Sequence, residues 1–287
     1  MPLDRAKAEK AASFKNQGAL RALQNGCAVV YGTAGNASEQ TGTSIFDPVL
    51  CEIAYRWFCP PGGQILDPFA GGSVRGVVAG MLGRNYTGIE LRPEQVEANE
   101  KQWSEVTRRV TSRGNVRWIV GDGINVATLN ENKPADFIFS CPPYGDLEQY
   151  SDDPRDLSNM GFDNFIEAYR GIIAATCSLL NPDRFACFVV GDFRDKKGMY
   201  RNFPARTIDA FEKAGLRLYN EAILVTAVGS LPVRATKAFT SSRKLGKTHQ
   251  NVLVFVKGDP RKAAQDIGEV EAGQMDDELN GGVLDGG

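Results

Sequence analysis

Cys141, Pro142, Pro143 and Tyr144 follow one another directly after "ADFIFS", a run that reads as a buried strand. A thiol, two ring-locked residues and a phenol ring at one strand end offer an acceptor or nucleophile, a rigid backbone and a stacking surface. Neither proline has a backbone N–H, and each fixes its own φ, so the strand must end there in a fixed loop. Taken alone, the stretch is equally an ordinary surface turn.

Three carboxylates occupy comparable places. Asp67 closes "QILD", Glu90 closes "NYTGIE" and Asp122 follows "VRWIVG". After Asp67 comes "PFAGGSVRG", where Gly71 and Gly72 let a turn backbone approach a ligand and Ser73 is placed to cap the next helix. An acid about twenty residues beyond a glycine turn can accept hydrogen bonds from ribose hydroxyls. One at the next strand end can reach the amino edge of an adenine. Singly, each carboxylate could be a solvated helix cap. In succession beside a glycine turn, they point to an adenosine site, and the lack of GxGxxG separates it from a dehydrogenase loop.

The elements that must position these residues are legible in the patterning. Seven strand candidates, "QILDPF", "NYTGIEL", "VRWIVGD", "ADFIFSC", "RFACFVVGD", "LRLYNEAILV" and "NVLVFVK", alternate at first with helix-like segments at 76–82, 92–111, 123–130 and 163–180. This is the pattern of an α/β, doubly wound, mostly parallel sheet, with ligands expected at the carboxyl ends of its strands. The last two strands join through a loop without a helix and are expected as antiparallel neighbours, giving one antiparallel strand near the edge.

Composition sets the outer bounds. With 287 residues, 42% hydrophobic and 24% charged, the chain suits one large globular domain with extensions. The expected division is an arm and loop over 1–41, the main domain over 42–260 and a Gly-rich acidic tail over 261–287, read as disordered. A formal net charge of −2 excludes a uniformly basic nucleic-acid coat but not a local patch. Six cysteines without a CxxC pair, and His249 as the single histidine, give neither zinc spacing nor a disulfide framework, so no metal is expected. No apolar run approaches the roughly eighteen residues of a membrane span, and no signal-peptide core is seen. A reduced, cytoplasmic protein is the expectation.

"LDPFAGG", "GIEL", "VGDG" and above all "CPPY" resemble the ordered motifs of S-adenosylmethionine-dependent DNA amino-methyltransferases, over residues 42 to 258. The combination of DPFAGG with xPPY is fairly specific. The resemblance implies a seven-stranded Rossmann-like methyltransferase sheet and a cofactor site of Phe46, Asp67, Phe69, Ala70, Gly71, Gly72, Glu90, Leu91, Asp122 and Gly123. It further implies a catalytic loop of Cys141, Pro142, Pro143 and Tyr144 that holds a flipped-out adenine or cytosine for transfer to its exocyclic amine. The implied partner is nucleic acid, foremost double-stranded DNA, as in restriction-modification; a homodimer is left open.

Cys141 departs from the Asp, Asn or Ser usual at its position. A thiolate accepts hydrogen bonds and is also a nucleophile. Three roles therefore stay open: amine acceptor, covalent nucleophile toward a pyrimidine ring carbon, or small filler. RNA as substrate and a binding subunit that has lost transfer are the alternatives. Downstream, Asp146, Glu148, Tyr150, Asp152 and Asp153 border the expected base pocket or face solvent, and Asp192 and Arg194 line it or pair with each other. Between Glu221 and Asp259 no acid occurs, while Arg234, Lys237, Arg243, Lys244 and Lys247 fall within residues 227–250. This segment is expected as a basic loop that contacts phosphates.

Overall fold

A computed structural model describes residues 46–109, 114–145, 149–225 and 231–270. The arm over 1–41, the residues Asp146 and Glu148, the side chain of Arg234 and the part of the tail beyond 270 lie outside the described residues.

The chain enters through α1 (Pro48–Phe58), whose N-cap Asp47 accepts from the backbone N–H groups of Val49 and Leu50 at 2.8 and 3.3 Å. Pro48 fits the first helical turn, and Pro60 and Pro61 after Cys59 prevent continuation. Then follow β1 (Gln64–Asp67), α2 (Val74–Met81), β2 (Asn85–Glu90), α3 (Pro93–Arg109), β3 (Val116–Val120), the short α4 (Val126–Leu129) and β4 (Ala135–Ser140). The second half comprises α5 (Phe162–Leu179), β5 (Leu180–Val190), α6 (Phe203–Lys213), β6 (Arg217–Val225), α7 (Leu231–Ser242), β7 (His249–Lys257) and α8 (Pro260–Ile267).

The seven strands form one sheet in the order β3-β2-β1-β4-β5-β7-β6. Strands β3 to β5 are parallel, and β7 runs antiparallel to both β5 and β6, as the sequence patterning anticipates. The central strands are apolar on both sides because helices cover both faces: Ile65, Leu66, Phe137, Ile138 and Phe139 are fully buried. One face packs against α1, α2, α3 and α8, the other against α4, α5 and α6. Helix α2 lies unusually close to the sheet, since a Cβ on Gly76 would come within 2.5 Å of the Trp118 ring. From β1 the chain winds outward through β2 and β3, then crosses back to β4, so the strand order reverses between β1 and β4.

Two expectations change. Residues 231–242 form a helix rather than a loop, so β6 and β7 are joined through α7. The tail does not begin at 261. Asp259 caps α8 by accepting from Arg261 N–H at 2.8 Å, Pro260 starts it, Ala263 and Ile267 are buried, and Asp266 pairs with Arg184 at 2.7 Å. An averaged acidic, glycine-rich composition hides these two apolar anchors.

The second face depends on ring packing. Phe211 of α6 stacks on Phe255 of β7 with centroids 4.0 Å apart, and Phe188 meets Phe211 edge-on at 4.8 Å. Phe211→Ala is expected to cost about 3–5 kcal/mol of stability. Urea unfolding should show a lowered midpoint with an unchanged slope, because the folded surface hardly changes.

Candidate functional site

The carboxyl ends of the parallel strands frame the site, and its foundation is Asp67, the last residue of β1. Fully buried, it accepts four hydrogen bonds: from Arg75 Nε at 2.6 Å, Tyr86 Oη at 2.8 Å, Ser140 Oγ at 2.5 Å and Phe69 N–H at 3.1 Å. These donors come from α2, β2, β4 and the glycine turn, so one side chain joins every element around the reversal point. Arg75 in turn donates through Nη2 to the carbonyls of Phe69 and Ala70, at 2.6 and 2.9 Å, and lies 4.8 Å from the Phe46 ring centre. Burial opposes the Arg75 charge, but Asp67 outweighs it and holds the guanidinium above its ordinary range. Burial and the adjacent Asp67 push the Tyr86 phenol up as well, so it remains a neutral donor.

The glycine turn sits above this pair. Gly71 has φ +50°, a left-handed conformation that favours glycine, although open space surrounds the position of its missing Cβ. Its N–H donates to Glu90 Oε2 at 2.9 Å and its carbonyl accepts from Asn99 Nδ2 at 2.7 Å. The other oxygen of Glu90 accepts from Arg92 N–H and Nε at 3.0 and 3.2 Å. Glu90 thus shapes the turn as well as bordering the space above it. Ser73 stands at the N-cap of α2 without capping it; its hydroxyl bonds to Gln102 instead. Asp122 does cap, accepting from Ile124 N–H at 3.1 Å at the start of a short 3-10 turn, and it also faces the cavity.

A single cavity of about 720 Å³ runs over these strand ends. Its β2 and β3 side is lined by Glu90, Leu91, Asp122 and Gly123, its floor by Phe69, Gly71 and Gly72, and its β4 side by Cys141, Pro142, Pro143 and Tyr144. Phe46 closes one wall. Asp67 and Ala70, placed among the cofactor residues by the sequence, are fully buried beneath the cavity and do not line it. The structure adds Arg75 and Asn99, and at the outer wall Arg155, Leu157 and Gln250, to the sequence-derived set. Arg75 carried a usable signal, a basic residue in the first turn of the helix that follows the glycine turn; Gln250 carried none.

The Cys-Pro-Pro-Tyr loop is held from behind. The Tyr144 ring packs against Phe193 and Phe203 at 6.3 and 6.1 Å between centroids, and its hydroxyl accepts from Gln250 Nε2 of β7. Cys141 Sγ lies 4.0 Å from that hydroxyl. Burial, then the neighbouring Cys141, push the Tyr144 phenol well above its ordinary range. Burial also pushes the thiols of Cys59 and Cys177 up to about 12 and raises those of Cys51 and Cys187, all four buried in the core. Among the described residues, only Cys141 brings a cysteine to the cavity.

The flanking expectations resolve unevenly. Tyr150 lines the cavity, whereas Asp152 accepts from Gln149 and Asp153 pairs with Arg155 at 2.6 Å. Asp192 and Arg194 neither line the cavity nor pair: Asp192 caps the N–H groups of Phe193 and Phe203, and Arg194 stacks over Tyr200 at 3.7 Å. Lys237 and Arg243 are exposed, Lys244 and Lys247 half-buried, and all four stand outside the cavity. Among the described residues, no helix is long and apolar enough to cross a membrane.

This Rossmann-like architecture recurs in solved structures. TrmN from Thermus thermophilus shares it with a TM-score of 0.51 at 16% identity, over 76% of this chain and 51% of its own, so this chain spans about half of that protein's length. A methyltransferase from Pyrococcus furiosus matches with a TM-score of 0.50 at 17% identity, over 85% of this chain and 99% of its own. No family model and no curated relative matches the sequence.

Asp67→Ala should be severe, because it strands a buried guanidinium and two buried hydroxyls at once. Breaking such a pair costs about 3–5 kcal/mol. Urea unfolding measures it, and a loss below about 1 kcal/mol, the size of one ordinary hydrogen bond, would remove Asp67 from its organising role.

Proposed function

We propose that this protein is an S-adenosylmethionine-dependent methyltransferase acting on the exocyclic amine of a flipped-out adenine or cytosine in double-stranded DNA. The observation that carries this reading is the shared cavity: the glycine turn with Glu90 and Asp122, and the Cys141–Tyr144 loop, line one space. Its volume of about 720 Å³ falls within the range for cofactor and substrate pockets. Glu90 and Asp122 offer acceptors for ribose hydroxyls and an adenine amine, while Phe69 and Leu91 supply apolar walls, so the residues present fit the cofactor. When bound, it supplies an electrophilic sulfonium methyl group.

The chain's own residues position the acceptor amine. Pro142 and Pro143 fix the loop, so that its backbone carbonyl meets one amine hydrogen without reorganisation. Tyr144 gives the base a ring surface whose rotation is restrained by Phe193, Phe203 and Gln250. Cys141 accepts the second amine hydrogen and turns the nitrogen lone pair toward the methyl donor. A misplacement of about one ångström can cost on the order of a hundredfold in rate, which is the physical reason for so rigid a loop.

Calorimetry should detect S-adenosylmethionine binding, and Glu90→Ala should weaken it by about 1–3 kcal/mol, through the lost acceptor and the loosened Gly71 turn together. Absence of binding by the unmutated protein would end the reading. Labelled-cofactor assays on duplex DNA, single-stranded DNA and RNA identify the substrate: transfer to RNA alone moves the target to RNA, and cofactor binding without transfer to any of them leaves a non-catalytic binding subunit.

The acceptor role of Cys141 is separable from a nucleophilic one. Cys141→Ser should retain part of the activity, and a pyrimidine analogue with a blocked ring carbon should form no adduct on a denaturing gel. An adduct that disappears in the serine variant would replace amine transfer by ring-carbon alkylation.

A further inference from the structure

The Cys-Pro-Pro-Tyr loop after β4 touches a residue two strands away. Strand β5 ends at Val190, which pairs with Asn251, so Gln250 of β7 stands one position past that end and its side chain crosses to Tyr144. Both side chains meet beside the bare backbone of Gly191: a Cβ placed there would lie 3.7 Å from the Tyr144 hydroxyl and from Gln250 Cγ. Cys141, Tyr144 and Gln250 all line the cavity.

The direction of the hydrogen bonds follows from what each group can give. The Gln250 amide nitrogen carries hydrogens and accepts nothing, so it donates to the Tyr144 oxygen. Burial, then the neighbouring Cys141, hold the Tyr144 phenol well above its ordinary range, so the hydroxyl keeps its single proton. With Gln250 on an oxygen lone pair, that proton is directed at Cys141 Sγ, 4.0 Å away. The sulfur is thereby the accepting partner.

Two further ionisable groups face the sulfur. The Arg75 guanidinium, held charged by Asp67, lies within electrostatic reach of Cys141 and attracts an ionised thiol. Tyr169 is kept neutral by burial and brings no charge. A donor hydroxyl and a nearby cation both favour thiolate over thiol. The core thiols of Cys51, Cys59, Cys177 and Cys187, dominated by burial, are pushed the other way.

We propose that Gln250 is a positioning residue for proton transfer: through the Tyr144 hydroxyl it sets Cys141 Sγ as the acceptor of the proton that the target amine must lose. The amine nitrogen attacks the sulfonium methyl carbon, and the N–C bond forms as the C–S bond breaks, with the bonding pair leaving on sulfur. Nitrogen then carries a positive charge and one proton too many. The Cys141 thiolate takes that proton and becomes a neutral thiol, which returns it to water after the methylated base departs. This inference rests on the base-methyltransferase reading above.

Alkylation of the full chain by iodoacetamide, read at Cys141 by peptide mass spectrometry from about pH 6 to about pH 10, reports the thiolate without requiring turnover. The four buried core thiols should stay unreacted as long as a variant is folded. Gln250→Leu and Tyr144→Phe should each raise the Cys141 midpoint by about one pH unit, which is about tenfold slower labelling below it. Because Gln250 acts through the hydroxyl, Gln250→Leu should add nothing further in a Tyr144→Phe background. Methyl transfer to duplex DNA by the unmutated protein should fall as pH drops through the same midpoint, and in Gln250→Leu this acid limb should move up by the same amount. An unmoved or lowered midpoint in the single variants, or additive shifts in the double variant, overturns the relay and leaves base methylation standing. A labelling shift that the transfer profile does not follow overturns the proton-acceptor role of Cys141. If the unmutated protein transfers to no nucleic acid, base methylation itself fails and the proton step falls with it.

Discussion

Everything around the cavity depends on one buried ion pair, Asp67 with Arg75. A carboxylate removed from water is tolerable only where its lone pairs are occupied, and here a guanidinium, two hydroxyls and a backbone N–H occupy them. Each donor belongs to a different element, so the charge that would be most expensive to expose is also the point at which β1, β2, β4 and α2 are locked in register. The glycine turn inherits its shape from this arrangement, since Arg75 also holds the carbonyls of Phe69 and Ala70.

Above the pair, the same economy recurs with fewer parts. Glu90 uses one oxygen to fix Gly71 and the other to fix Arg92, and Asn99 closes the opposite side of the turn. A cavity floor held at both its N–H and its carbonyl is preorganised, so that ligand binding need not supply the ordering entropy. On the other side, Tyr144 is restrained through its ring by Phe193 and Phe203 and through its hydroxyl by Gln250. The two halves of the cavity are therefore braced by different layers, the floor by the parallel strands and the Tyr144 loop by β7 and the α6 side.

Much of this was legible in the sequence, for a physical reason. Strand ends in a parallel sheet are marked by the switch from an apolar run to Asp, Glu, Gly or Pro, and those same residues meet in space at the carboxyl edge; hence Glu90, Asp122, Gly71 and Tyr144 could be placed together from the chain alone. What sequence could not give was depth. Asp67 sits at a strand end like the other acids, yet whether it faces ligand or core is decided by Arg75, Tyr86 and Ser140, which are 8, 19 and 73 residues away. Composition misled in two places: α7 was masked by interleaved Ser, Thr and Lys, and α8 by its acidic, glycine-rich surroundings. In α8 two buried apolar positions, Ala263 and Ile267, outweighed an average taken over a long window.

The reversed strand β7 has a topological consequence. Because β7 lies between β5 and β6 and opposes both, β6 runs in the same sense as the parallel strands, and its last residues, Leu224 and Val225, open onto the cavity rim. The excursion from β6 to β7 therefore leaves and re-enters the sheet at the mouth of the site. Chain added there lengthens a surface connection at a cost that grows only with the logarithm of its length and disturbs no strand pairing. The fold thus tolerates chain inserted between residues 225 and 249 while the strands that carry the cavity keep their pairing.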